Sequence, residues 1–271
     1  MKASVRLALI QPWRHRALIM ALVQRDLAGR YRGSLLGLLW PVLTPVLMLA
    51  VYTLVFGVVF KARWPQADQA GGLGQFALML MAGLLVHGLL AETLVKAPTT
   101  IVNQPNYVKK VVFPLETLAW VDLLVALVHM AAGLTLLVVV NGFWGAGFAW
   151  AQLALPVILL PYAVLLLGLS WTLAAFGVYL RDLGQAVAPL TTVAMFLAPV
   201  FYARQTLPEP LASWLVINPV TVVVEQTRDA VFAGLWPDWG LWAGYAGAAL
   251  LVHVLGLSLF VMLKRGFADV V

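Results

Sequence analysis

Five ionisable side chains sit within otherwise apolar stretches of this chain: His87, Glu92, Asp122, His129 and His253. An ionised group at the centre of a bilayer costs on the order of 3 kcal/mol even on a lenient insertion scale, so each is a functional candidate by default. Together they could form a proton relay, with Asp122 and His129 two turns apart on one helix and His87 and Glu92 on another. A structural role stands beside that reading. Glu92 precedes Lys96 by four residues and can pair with it, Asp122 lies about two turns from the cytoplasmic start of its helix, and neutral histidines commonly satisfy contacts between helices. Other chemistry finds no support. There is no H-E-x-x-H, no G-x-S-x-G, no carboxylate-rich metal site and no cysteine, so neither a thiolate site nor a disulfide is possible. The phosphate-cradling G-x-x-x-x-G-K-[ST] is also missing, so ATP-driven work would need a separate hydrolysing chain.

A second unusual pair lies in residues 203–238. Residues 211–217 and 220–224 are apolar but too short to cross a bilayer, and Asn218-Pro219 breaks them. Two short helices forming a re-entrant hairpin fit this pattern, with Glu225 and Arg228 at helical spacing on the second and able to pair. The hairpin reads as an extracytoplasmic cap or gate, and Trp214 and Trp236 suit either a re-entrant or an interfacial depth.

The elements that must position these groups follow from composition. With 63% hydrophobic and 10% charged residues among 271, the chain reads as one polytopic all-α membrane domain with no room for a soluble catalytic unit. Six transmembrane helices are expected at 35–60, 73–94, 115–140, 152–179, 183–202 and 239–263, so the bundle covers 35–263 and both termini share a side. Thirteen lysines and arginines fall on that side and four on the other, Lys61, Arg63, Arg204 and Arg228, which places both termini in the cytoplasm. The net charge of +6 then reflects topology and lipid contact; no reading helix or stacking platform points to nucleic acid.

Pro41 and Pro45, one turn apart, predict a kink in the first span, whose freed carbonyls need a neighbouring helix, a hydroxyl such as Thr44, or water. Pro156, Pro161, Gly168 and Gly177 suggest that the fourth span is bent as well. Before the first span, residues 13–33 predict an amphipathic interfacial helix. Trp13, Met20, Val23, Leu27 and Tyr31 fall on one arc and Arg14, Arg25 and Arg32 on another, with Arg16 and Arg30 intruding on the apolar side. A cleavable signal peptide is rejected because residues 17–23 are a very short apolar core followed by Gln24-Arg25-Asp26. Residues 96–114 are polar, end before a proline-started span, and read either as a docking helix or as a solvated loop.

Four motifs in order carry a family resemblance. They are Arg25-Asp26-Leu27 running on to Arg30-Tyr31-Arg32-Gly33-Ser34-Leu35-Leu36-Gly37-Leu38-Leu39-Trp40-Pro41; Lys109-Lys110-Val111-Val112-Phe113-Pro114-Leu115-Glu116; Tyr179-Leu180-Arg181-Asp182-Leu183; and Asn218-Pro219 followed by Glu225 and Arg228. Over nearly its whole length the chain resembles the membrane subunits of ABC-type polysaccharide exporters, the permeases of capsule, O-antigen and teichoic acid export.

The resemblance implies a transport subunit of the bacterial inner membrane that is not itself an enzyme. Two copies would form a channel driven by two ATP-binding subunits, with no cofactor in this chain and ATP and Mg on the partner. An envelope-spanning partner could continue the path. Tyr52, Phe56, Phe196, Phe201 and Tyr202, on the first and fifth spans, become candidates for stacking on sugar rings. Arg14, Arg25 and Arg32 become candidates for holding the phosphate of a lipid-linked polysaccharide, and Asn103, Tyr107, Lys109 and Lys110 for coupling to the ATPase. Trp214, Asn218, Pro219, Glu225 and Arg228 become the outer gate. Two alternatives remain at this point: an ABC permease for a lipid or drug, and a proton-coupled carrier or intramembrane enzyme built on Asp122, His129 and Glu92.

Overall fold

The computed structural model describes residues 13–59, 72–109 and 113–271. Phe60, Lys61, Arg63, Lys110 and the Pro41 side chain, all used in the sequence reading, lie outside this set. Among the described residues the chain is helical without strands, in the order α1 (Arg16–Tyr31), α2 (Trp40–Tyr52), α3 (Gly72–Lys96), α4 (Pro105–Lys109), α5 (Thr117–Trp144), α6 (Leu155–Tyr179), α7 (Leu183–Phe196), α8 (Glu209–Trp214), α9 (Pro219–Arg228), α10 (Trp239–Leu263) and α11 (Phe267–Val270). Helix α2 continues as a π-helical stretch, Thr53–Val59, and α9 as another, Asp229–Ala233.

Four stretches are long and apolar enough to cross a membrane, Gly72–Thr99, Thr117–Trp144, Trp150–Tyr179 and Trp239–Val270, and two shorter apolar helices, Leu43–Val59 and Leu183–Phe196, accompany them. The chain is therefore a multi-pass membrane protein. The expected first span begins later than residue 35, because Gly33 and Gly37 take positive φ and leave a break that only a one-turn 3₁₀ segment, Gly37–Leu39, precedes into α2. The expected fifth span also stops early. Helix α7 has 14 residues, about 21 Å of rise, and gives way to an irregular stretch at 197–203 where Pro199 cannot continue the helical ladder.

Helix α3 is the most enclosed of the four long helices, and its packing against α5, α7 and α9 builds the core with Leu80, Val86 and Leu89. Helices α6 and α10 meet backbone to backbone. A Cβ on Gly168 would sit 2.6 Å from the His253 Cα, and one on Gly256 would sit 2.1 Å from the Gly168 carbonyl oxygen. Gly177 serves the same end against the Pro98 carbonyl, at 2.0 Å. These glycines of α6, expected to mark a bend, are close-approach residues, the way helices associate where lipid removes the hydrophobic drive.

Candidate transport site and coupling seam

Helix α1 docks along α5 by burying Ile19, Leu22 and Val23 against Val121 and Val125. The buried face is offset from the arc expected from sequence: Val23 is shared, but Trp13 and Met20 are exposed. The offset has a polar cause, because the intruding Arg30 points to a partner. Its Nη1 lies 2.6 Å from Glu92 Oε1, and Asp26 approaches its Nε at 3.5 Å. Glu92 also accepts from His129 Nδ1 at 2.9 Å, and the far ring nitrogen of His129 lies 2.8 Å from the Tyr31 hydroxyl. A neutral imidazole satisfies both contacts, donating at Nδ1 and accepting the tyrosine proton at Nε2. Burial, opposed by the Arg30 charge, raises the Tyr31 phenol, which therefore stays a hydroxyl.

A second knot lies one turn along. Lys96 Nζ bridges Asp26 Oδ2 at 3.2 Å and Asp122 Oδ1 at 2.6 Å, and the Thr100 hydroxyl donates to Asp122 at 2.6 Å. Glu92 and Lys96 thus do not pair with each other, as their i,i+4 spacing suggested; each turns to another helix, where the companion is already fixed by packing. The remaining histidines are elsewhere. His87 meets the Thr191 carbonyl at 2.9 Å and His253 the Val164 carbonyl at 3.3 Å, each tying two helices together. Asp26 links the first two knots through Arg30 and Lys96, and among the described residues no hydrogen bond carries that link on to His87 or His253, so the five groups of the expected relay do not form one path. Sequence reasoning missed Asp26, Arg30, Tyr31 and Lys96 as members of the seam; the signal was Arg30 on an apolar face.

Of the three arginines expected to hold a lipid-linked phosphate, Arg14 and Arg32 are exposed just before and just after α1. Arg25 is committed otherwise: its Nη1 donates to the Tyr107 hydroxyl at 2.9 Å. Tyr107 sits on α4 and stacks on Phe113, ring centroids 4.3 Å apart and 7° from parallel. Asn103 and Lys109 are exposed on the same connection. Its far end is fixed by Glu116, whose carboxylate accepts from Lys264 Nζ at 2.9 Å and whose carbonyl accepts from Trp171 Nε1 at 3.0 Å. Between α2, α3 and α5 runs a cavity of about 680 Å³, lined by Arg30, Tyr31, Glu92 and His129 at one end and by Thr44, Met48, Tyr52 and Met195 further along. The kink-prone first apolar helix therefore borders open space at Thr44 and Pro45.

The five candidate ring residues are brought together, mostly against one another. Phe201 stacks on Phe56 at 4.5 Å and 20°, and meets Tyr52 at 5.5 Å and Phe196 at 5.3 Å. Phe201 is 5% exposed, whereas Phe196 is 53% exposed. The Tyr202 hydroxyl returns to the Phe196 carbonyl at 2.9 Å.

The expected gate residues divide into buried and exposed sets. Asn218 caps α9 by accepting from the Val220 amide at 3.0 Å and donates to the Ala194 carbonyl of α7 at 2.8 Å, while Pro219 starts the helix where its missing N–H costs nothing. Trp214, on α8, is exposed. Glu225 and Arg228 do not pair through a hydrogen-bonded bridge as their spacing suggested: Glu225 takes Arg204 Nε at 2.9 Å, and Arg228 turns to main-chain carbonyls. Burial raises the Glu225 carboxyl above its usual range, with Arg204 offsetting part of the effect.

The architecture is that of a helical membrane protein with a docked first helix and a short helix pair before its last long helix. Residues 17–232 match the ABC-2 type transporter family, and the chain belongs to it. It is 28% identical over 259 residues to the O-antigen export system permease protein RfbA of Myxococcus xanthus, covering 95% of this chain and 96% of the relative. An RfbA of the same description from Klebsiella pneumoniae is 23% identical over 255 residues, 93% of this chain and 94% of that protein. The polysialic acid transport protein KpsM of Escherichia coli is 24% identical over 247 residues, 89% and 92% of the two chains.

Proposed function

We propose that this protein is the transmembrane subunit of an ATP-driven exporter that moves lipid-linked polysaccharide, capsular polysaccharide or O-antigen, across the bacterial inner membrane. The observation that carries this reading is similarity along almost the whole chain to permeases named for O-antigen export and polysialic acid transport.

In this reading six segments cross the membrane, α2 and α7 with their continuations completing the four long helices, and both termini face the cytoplasm. Two copies form the channel and two ATP-binding subunits dock on α4, supplying the energy of ATP hydrolysis with Mg on their own chains. The contact between Arg25 and Tyr107 gives docking a direct route to α1, since a displaced Tyr107 pulls on an arginine of the interfacial helix. Helix α1 in turn is fastened to α3 by the Arg30–Glu92 and Asp26–Lys96 bridges, and Lys96 carries the tie on to Asp122 of α5, so coupling motion reaches the cavity beside α2 without a flexible link. The anionic end of the substrate meets Arg14 and Arg32, which have exposed side chains, and the glycan passes the rings of α2 and α7, with Phe196 the ring most open to a sugar face. Helices α8 and α9 form a re-entrant hairpin over the outer end.

The test is a pull-down of the tagged protein in mild detergent, followed by ATPase assays and by glycan export in a strain lacking the chromosomal copy. Recovery of a stoichiometric ATP-binding subunit, with surface glycan restored, supports the reading. A lone oligomer, or a complex that hydrolyses ATP while surface glycan stays absent, overturns it.

A further inference from the structure

Arg228 ends α9 with a side chain 8% exposed, and all three guanidinium nitrogens donate to main-chain carbonyls: Nε to Met79 at 3.0 Å, Nη2 to Val200 at 2.9 Å, and Nη1 to Pro199. The two sets of acceptors are unlike. Met79 belongs to the enclosed helix α3, whereas Pro199 and Val200 belong to the irregular stretch after α7, where no helical ladder consumes their carbonyls. One side chain thereby holds a non-helical turn against the core. Gly83 makes room for it, since a Cβ there would lie 2.8 Å from Arg228 Nη2 and 3.2 Å from the Val200 Cα.

The residue after Val200 is Phe201, whose ring fills the space between Phe56 and Phe196. Fixing the Pro199 and Val200 carbonyls fixes where that ring points. The same groups border a small polar cavity of about 150 Å³, lined by Pro199, Arg204, Gln205, Glu225, Arg228 and Asp229. Water therefore has room to replace the guanidinium on the turn carbonyls. Two carboxylates line the same cavity and can receive Arg228 when it lets go: Asp229, next in sequence, and Glu225, one helical turn before, which now holds Arg204. Such an exchange of partners gives two discrete arrangements of one turn.

We propose that Arg228 is the latch of the outer gate: bound to the three carbonyls it keeps Phe201 stacked on Phe56 and the outer end of α2 and α7 closed, and released to Glu225 and Asp229 it lets the turn and its ring swing away. The word outer rests on the membrane placement proposed above; the latch itself rests on the hydrogen bonds.

Because the chain contains no cysteine, a single introduced thiol reports the turn directly. Ala198, fully buried in the turn, is replaced in Ala198→Cys, and Ala175, fully buried in α6, in Ala175→Cys as a reference. The purified protein in detergent is treated with a maleimide and the labelling rate followed. Arg228→Gln should speed labelling at position 198 by about tenfold or more, the scale of change in a local opening equilibrium when charge-assisted hydrogen bonds are lost. Arg228→Lys, with a single ammonium unable to span three carbonyls, should fall between. Gly83→Ala, which crowds the guanidinium and leaves Arg228 in place, should speed labelling too and carries the test if Arg228→Gln does not accumulate. Unchanged protection at 198 overturns the latch, and so does equal labelling at 175, which would mean loss of the whole fold. No transport is measured, so a failed export assay and a failed latch are separate results.

Discussion

Arg25 and Tyr107 meet across 2.9 Å, although they stand 82 residues apart in sequence, and this hydrogen bond joins helix α1 to the short helix α4. An arginine expected to face a lipid phosphate ties these two helices together. Both groups are partly solvated, so the tie is worth little to stability, about 1 kcal/mol or less. In the proposed mechanism its weight lies in transmission. Tyr107→Phe and Arg25→Gln should each leave the thermal midpoint of the purified protein almost unchanged while lowering glycan export per ATP hydrolysed, and the double variant should be no worse than either. Additive losses would mean the two residues act separately.

The buried seam behaves differently. Asp122 is 7% exposed and carries both Lys96 and the Thr100 hydroxyl, so Asp122→Asn leaves Lys96 with Asp26 alone as its counter-charge. A loss of about 1–2 kcal/mol is expected, read as a fall in detergent thermal midpoint and in membrane abundance. Glu92→Gln, at a more exposed bridge, should cost about 1 kcal/mol. Full abundance of Asp122→Asn with transport abolished would instead revive proton coupling through that carboxylate.

The ring cluster divides into a structural and an available half. Phe201→Ala removes a ring that is 5% exposed and should destabilise by about 3 kcal/mol. Phe196→Ala removes one that is 53% exposed and should leave stability within about 0.5 kcal/mol while slowing export, measured as surface glycan per permease. Slowed export with Phe196→Ala but normal export with Phe196→Tyr would assign the flat face, not the bulk, to the polymer.

Acid should reveal Glu225. Burial, outweighing Arg204, raises its carboxyl, so the folded protein binds a proton there more readily than the unfolded chain. The sign follows from linkage: this residue makes the fold more stable as pH falls from above its raised value toward the unfolded value of about 4.3, and less stable as pH climbs back. Glu225→Gln removes that slope. As pH falls through this window the midpoint of the wild type should rise relative to that of the variant, and outside it the gap between the two should stay constant; parallel curves throughout would rule the site out as their source.

What the sequence disclosed and what it hid separate along a physical line. The span at Trp239–Leu263 coincides with its expected bounds, because a long apolar run between a capping aspartate and two basic residues is decided locally. Asn218-Pro219 as a helix start was legible for the same reason. The choice of partner was not. Glu92 and Lys96, and likewise Glu225 and Arg228, carry the spacing of local pairs, yet each turns to residues far away in sequence that packing holds at a better distance. Periodicity also misplaced the buried face of α1, since it weighs Arg30 as an intruder when Glu92 awaits it. The aromatic candidates were found as types, but only tertiary structure shows that Phe56 and Phe201 occupy each other's faces.

Where Gly168 of α6 faces His253 and Gly256 of α10, main chain touches main chain with no side chain between to swing or yield. Two helices so joined cannot slide past one another by a fraction of a turn, because there is no deformable layer to absorb the shear. That pair forms a keel. Motion that widens a path has to be taken up elsewhere, in the stretches where the helical ladder is already interrupted: the π-helical turn after Tyr52, and the loop that follows Phe196. In the proposed transport cycle the stiff pair gives these stretches something to move against.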